Sequence, residues 1–265
     1  MSFFNNKVVW ITGASSGIGE ALSYAFAAEK AQLVISSNQL KELEQVKDKC
    51  IAMGAVCLAC PFDLTEPQQI RMVAQEVLKK TGRIDILINN GGISQRALAE
   101  ETPIELDRKI FEINFWGGVE LTKQVLPSMI ANKSGHIVAL SSIAGKFGFK
   151  MRSAYSAAKH AIYGFYESLG VEMHGRGIYV TIATPGRVQT NISLNALTKE
   201  GKAHGQMDDG QAGGVTKEYC ARMIMKAIRK KKKEQLIGGK ELLMVHFKRF
   251  LPPLFNFLVT RIKAT

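Results

Sequence analysis

Apolar residues fall along this chain in two rhythms. Short runs rich in β-branched residues predict strands at Lys7–Thr12 (KVVWIT), Leu33–Ser36 (LVIS), Val56–Phe62, Ile84–Ile88 (IDILI), His136–Leu140 (HIVAL), Tyr179–Ala183 (YVTIA) and Gln235–Ile237. Between them, apolar positions three and four apart predict helices over Glu20–Glu29, Gln39–Met53, Pro67–Lys80, near Ile104–Ile130 and over Ser156–His174. Runs of four to six apolar residues alternating with helices imply a parallel sheet covered on both faces and joined by right-handed crossovers. The pattern predicts one doubly wound α/β domain, because no Pro/Gly/Ser-rich linker divides it. The loosest stretch, Asn195–Val215, is polar and contains glycine. It follows the C-terminal end of a strand, where a substrate lid over about residues 190–215 is expected.

Composition narrows the class. Hydrophobic residues make up 46% and charged residues 22%, which excludes general disorder and a polytopic membrane protein. The net charge of +12 is uneven: from Lys226 onward eleven basic residues face only Glu234 and Glu241, so +9 lies in the last forty residues and the body is nearly neutral. That distribution argues against nucleic acid as a partner of the whole protein. Four cysteines (Cys50, Cys57, Cys60, Cys220) make no disulfide framework, and the start of the chain has no basic segment followed by an apolar stretch, so a cytoplasmic protein is expected. Cys57 and Cys60 form a CxxC inside a predicted strand, where positions three apart face opposite sides. They read as strand core, and no metal is expected.

Two places carry chemistry. Thr12-Gly13-Ala14-Ser15-Ser16-Gly17-Ile18-Gly19 stands between the first strand and the first helix. Gly13 permits a sharp turn, Gly17 lets a pyrophosphate approach the backbone, and Gly19 lets the helix pack closely, while free N–H groups at the helix start face the phosphates. The second strand ends in Ser36-Ser37-Asn38 with no carboxylate to bind a ribose and no arginine to clamp a 2′-phosphate. Downstream, Tyr155 and Lys159 lie four apart on one helix face, so an ammonium sits beside a phenol and favours its ionised form. Ser142, at the end of the HIVAL strand, is placed to steady a substrate oxygen. Together these residues suit proton transfer to or from an alcohol or carbonyl. A non-catalytic nucleotide-binding regulator or scaffold on the same fold is the alternative.

The ordered set TGASSGIG (12–19), Asp63 in FDL, NNGG (89–92), Asn114, Ser142, YSAAK (155–159), Pro185-Gly186 and Thr190 resembles the short-chain dehydrogenase/reductases. Within that family the chain is similar to the dehydrogenase/reductase member 7 and 7B type, through LTKQVLPSMI, GHIVALSSIAGK and RSAYSAAKHA. The resemblance implies a seven-stranded Rossmann-like sheet and hydride transfer between NADP(H), with NAD also possible by chemistry, and a secondary alcohol or ketone of lipophilic type. It implies Tyr155 as general acid/base, Lys159 lowering its pKa and holding the nicotinamide ribose, Ser142 orienting the substrate oxygen, and Asn114 holding a relay water. It further implies cofactor contacts from Gly13, Ser15, Ser16, Gly17, Ile18 and Gly19, from Ser37, Asn38, Asp63 and Leu64, from Asn90 and Gly91, and from Pro185, Gly186, Val188 and Thr190. Gly91 replaces the family's alanine, and Asn38 stands where NADP-using relatives carry arginine. A homodimer or homotetramer is expected.

Beyond a body of residues 1–225, residues 226–265 form a basic, apolar extension: Arg229–Lys233, then Leu242–Phe247, Lys248-Arg249 and Phe250–Val259 interrupted by Pro252-Pro253. No run reaches the roughly 18 apolar residues of a spanning helix. The extension is expected either to wall the substrate pocket and contact a second subunit, or to rest on an anionic membrane surface, and both are compatible.

Overall fold

In the computed structural model, which describes residues 2–261, the seven apolar runs pair side by side as one all-parallel sheet. The strands are β1 (Val8–Thr12), β2 (Gln32–Ser36), β3 (Cys57–Ala59), β4 (Ile86–Asn89), β5 (Gly135–Leu140), β6 (Ile178–Pro185) and β7 (Glu234–Ile237), in the spatial order β3-β2-β1-β4-β5-β6-β7. Period-two alternation sends neighbouring side chains to opposite faces. Val9, Ile11, Leu33 and Ile35 pack against α1 (Gly17–Ala28), α2 (Leu40–Ala52) and α8 (Lys217–Arg229). Val8, Trp10, Val34 and Leu87 pack against α3 (Pro67–Thr81), α5 (Gly117–Ala131) and α6 (Ser153–Glu172). With both faces covered, every residue of β1 and β5 is buried. Strand order reverses between β1 and β4, which opens a crevice at their C-terminal ends.

Three boundaries differ from the sequence reading. The third strand is only Cys57–Ala59, not Val56–Phe62. It lies at the sheet edge with β2 as its neighbour, and Pro61 has no N–H with which to extend the ladder. Cys57 and Cys60 nevertheless serve opposite faces, the first in one core and the second against the other. The stretch near Ile104–Ile130 is a continuous helical path, but α4 (Ile104–Phe111) and α5 are joined by a wider π turn at Glu112–Trp116. Asn114 causes the widening: its side-chain amide donates to the Ile110 carbonyl (2.9 Å), the acceptor an α-helix would reserve for the N–H of residue 114. The expected break at residue 225 falls inside α8, and β7 beyond it completes the sheet, so the part outside these layers begins at Gly238. Of the expected extension, residues 262–265 lie outside the described residues.

Two further segments lie outside these layers, the first of them along the crevice. Residues 190–215 carry the short helix α7 (Asp209–Ala212) and are stitched down by bridges from Leu197 to Gln95 and from Val215 to Val188. Past β7, α9 (Leu243–Phe250) and α10 (Pro252–Val259) pack through Val245, Phe247 and Phe255 on Ile143 and Phe147. Among the described residues no helix is long and apolar enough to cross a membrane.

Candidate active site

The crevice is a cleft of about 850 Å3, lined by every residue expected to hold a cofactor or do chemistry except Gly19. Gly19 lies behind the turn, where a Cβ would collide with the Gly13 carbonyl oxygen. Gly13 has φ +62°, and a Cβ there would come within 2.7 Å of the Gly91 Cα. Glycine is therefore required at Gly13 for both conformation and space. Asn90 locks the turn from the neighbouring strand end, donating from Nδ2 to the carbonyls of Thr12 (2.9 Å) and Gly13 (3.1 Å). Thr12 Oγ1 in turn accepts from the N–H groups of Asn90 (3.1 Å) and Gly91 (3.0 Å). At Gly91 a Cβ would press on Leu64 Cδ1, the end of a movable side chain, so the family's alanine would be accommodated by a side-chain adjustment.

One wall of the cleft is polar: Ser15 Oγ lies 2.9 Å from both Ser37 Oγ and Gln39 Oε1. Asn38 Nδ2 donates to the Asp63 carboxylate (2.9 Å). Ser16 and Ile18 flank Gly17, and a Cβ on Gly17 would meet Thr190 Cγ2 at 3.3 Å, so the turn and the Pro185–Thr190 segment face each other across a narrow gap. That segment leaves β6 at Pro185, with Val188 buried, and Glu241 from the C-terminal extension accepts the Arg187 N–H (3.0 Å). This glycine-walled groove, opening at the N-terminus of α1, fits a dinucleotide: backbone N–H groups for the phosphates, neutral donors at Ser37 and Asn38, and Thr190 at the far end.

At that far end Tyr155 and Lys159 share one face of α6, both buried. Ser142 lines the cleft together with Tyr155, and its Oγ accepts the Ala144 N–H (3.2 Å), which fixes it at the start of the turn after β5. Lys159 Nζ donates to the Leu140 carbonyl (2.9 Å) and lies 5.7 Å from the Tyr155 ring centroid. Burial lowers Lys159 to about 8. Burial pushes the Tyr155 phenol up, and the nearby Ser142 hydroxyl and the Arg152 and Arg96 guanidiniums pull it down. Asn114 uses its amide donors on the Ile93 and Ile110 carbonyls, leaving its buried Oδ1 without a partner. A Cβ added at Gly92 would lie 2.6 Å from that oxygen and 3.5 Å from Lys159 Nζ. The glycine thus keeps a side chain out of the approach between that acceptor and the Lys159 ammonium.

Four residues at this end escaped the sequence reading. Gln95, fully buried, accepts the N–H groups of Ala154 (3.0 Å) and Tyr155 (3.4 Å) and so anchors the first turn of α6. Arg96, Arg152 and Asp208 form a buried ion cluster. Arg96 and Asp208 are far apart in sequence, and neither sits in a local pattern. Gln95 stands in the polar run Ser94-Gln95-Arg96 after NNGG, where nothing in the sequence sets it apart.

Compared with known proteins, residues 7–201 match the family model for short chain dehydrogenase. The chain is 41% identical over 265 residues to a dehydrogenase/reductase SDR family protein 7-like of Anopheles gambiae, a match covering 98% of this chain and 84% of the relative. It is 39% identical over 271 residues to dehydrogenase/reductase SDR family member 7B of Xenopus tropicalis, covering 99% and 87%. A crystal structure of a short chain dehydrogenase/reductase from Burkholderia phymatum in complex with NAD superposes with a TM-score of 0.86 over 100% of this chain and 98% of that one. At 22% identity that likeness is one of fold.

Proposed function

The chain belongs to the short-chain dehydrogenase family of oxidoreductases, and from that premise we propose that it interconverts a lipophilic secondary alcohol and its ketone with NADP(H), using Tyr155 as acid and base. The observation that carries the reading is the meeting of Tyr155, Ser142 and Lys159 at the end of the glycine-walled groove. A bound nicotinamide supplies or accepts the hydride. In the direction of reduction, Ser142 Oγ hydrogen-bonds the substrate oxygen and Tyr155 Oη delivers its proton to it. The resulting phenolate is stabilised by the Lys159 ammonium, and a water between Asn114 Oδ1 and Lys159 Nζ passes the replacement proton inward. In oxidation the same groups work in reverse. Ile93, Ile143, Ala144, Phe149 and Ile192 surround this end of the cleft and support a lipophilic substrate.

The test is direct: the purified chain is mixed with NADPH and a panel of lipophilic ketones while absorbance at 340 nm is followed, alongside Tyr155→Phe. Equal turnover by the two proteins removes Tyr155 from the mechanism. For the cofactor, Ser15, Ser37 and Asn38 supply neutral donors with no carboxylate on residues 36–39, which supports NADP(H). Tighter binding of NADH than NADPH in a fluorescence titration overturns that choice.

The reading extends to the surface. Phe250, Leu251, Leu254 and Phe257 are exposed beside Lys248, Arg249 and Arg261, which supports peripheral contact with an anionic membrane. Flotation with phosphatidylserine vesicles should capture the full chain and lose it after truncation at Gly238. Exposed Ile104 and Trp116 on the α4–α5 path support a homodimer or homotetramer, and a monomer in sedimentation velocity at micromolar concentration contradicts it.

A further inference from the structure

Arg96, Arg152 and Asp208 come from the loop after β4, the turn before α6 and the start of α7, and all three line the cleft together with Tyr155. The Arg96 side chain is 2% exposed and that of Asp208 7%. Arg96 Nε donates to Asp208 Oδ1 (3.2 Å), and its Nη2 pairs with Oδ2. Its Nη1 donates to Ser94 Oγ (2.8 Å) and to the Gln95 carbonyl (2.6 Å). Arg152 Nη2 donates to the same Asp208 Oδ2 (2.9 Å). Two guanidiniums, Arg96 buried and Arg152 with 14% of its side chain exposed, thus share one largely buried carboxylate, an arrangement that stabilises a fold no better than apolar packing of the same volume. Its place beside the reacting group gives it another use.

The charged groups that share the cleft wall with Tyr155 come from three elements: α6, with Lys159 in it and Arg152 at its start three residues before Tyr155, the loop after β4 with Arg96, whose neighbour Gln95 accepts the Tyr155 N–H (3.4 Å), and the 190–215 segment with Asp208 and Asp209. The other contacts on the ring are apolar, from Leu106 and Ile110 of α4 and from Ala144 and Phe149, and such surroundings screen a nearby charge weakly. We propose that Arg96 and Arg152 are positioning residues for proton transfer at Tyr155, and that Asp208, carried by the 190–215 segment, sets how strongly their positive field acts on that phenol. The inference rests on the reading of Tyr155 as acid and base. It agrees with the direction in which both guanidiniums act on the buried phenol, against its burial. It also gives the segment over the cleft an electrostatic role: moving it away removes the carboxylate and strengthens the field on Tyr155.

The test compares the unmodified chain with Arg152→Gln, Asp208→Asn, their combination, and Arg152→Lys. Two readouts are taken: the pH profile of alcohol oxidation, and an NMR titration of 13Cζ-labelled tyrosine assigned with Tyr155→Phe. Arg152→Gln should move the Tyr155 ionisation to higher pH and Asp208→Asn to lower pH, each by about one pH unit. The combination should return it close to the starting value, and Arg152→Lys should restore most of the loss. Shifts of the same sign, or no shift in variants that melt within a few degrees of the unmodified chain, overturn the proposal. The NMR titration needs no turnover, so the two readings fail separately. A chain whose Tyr155 responds as expected but reduces no ketone refutes the proposed function alone. A chain that turns over while its phenol ignores both substitutions refutes the positioning role alone.

Discussion

The two ends of the cleft are built by opposite means. The nucleotide end is backbone: residues 12–19 fold into one turn, and what the site needs is missing Cβ atoms at Gly13 and Gly19 and the N–H groups of a helix start. The substrate end is side chain: Tyr155 is held by Gln95 from the loop after β4 and shares the cleft with Ser142, Lys159, Arg96, Arg152 and Asp208. The first end should therefore fail when an atom is added, and the second when a functional group is removed.

Gly13→Val tests the backbone end most harshly. A β-branched residue at φ +62° that also meets Gly91 Cα should cost about 3 kcal/mol or abolish cofactor binding, read by thermal melting and by fluorescence titration of NADPH. Native stability and binding in that variant would erase the contrast. At the other end, Gln95→Leu keeps the volume but leaves the Ala154 and Tyr155 N–H groups without their acceptor. We expect a loss of roughly 2–3 kcal/mol in denaturant unfolding together with reduced turnover.

A comparable effect should come from pH alone. Lys159 is lowered to about 8 in the fold but titrates near 10.4 when unfolded, so between those values the unfolded chain binds more protons. Stability of the cofactor-free chain should then rise from pH 8 to pH 10 by about 2 kcal/mol relative to Lys159→Met, in which the rise is missing. Parallel stability curves for the two proteins would mean that Lys159 is not held in a costly charged state. The smallest effect is expected at Gly91→Ala. There the added methyl presses only on the tip of Leu64, with Thr12 Oγ1 and the Gly13 N at ordinary contact, and melting should change by less than about 0.5 kcal/mol. A large loss at Gly91 would show that the groove tolerates side chains no better there than at Gly13.

The same contrast explains what could be read from the sequence. The glycine turn and the Tyr155–Lys159 pair are local patterns, defined within eight and five residues, and periodicity placed them on a turn and on one helix face. The seven strands were equally legible, since burial on both faces leaves continuous apolar runs. What stayed hidden depends on contacts across the fold. Arg96 and Asp208 are brought together by the bridge between Gln95 and Leu197, which no spacing encodes. The π turn at Asn114 follows from one side chain taking a helix carbonyl, an event invisible to a 3.6-residue period. β3 ended early because an edge strand has pairing on one side only, and Pro61 follows.

Proton transfer at Tyr155 should be separable from cofactor binding. The most direct measurement takes Tyr155→Phe and determines two quantities on one preparation: the Kd for NADPH and the turnover of a ketone that the unmodified chain reduces. We predict a Kd within about threefold of the unmodified chain and turnover lower by about 10³-fold or more. Turnover within tenfold of the unmodified chain, with the cofactor still bound, would contradict the account.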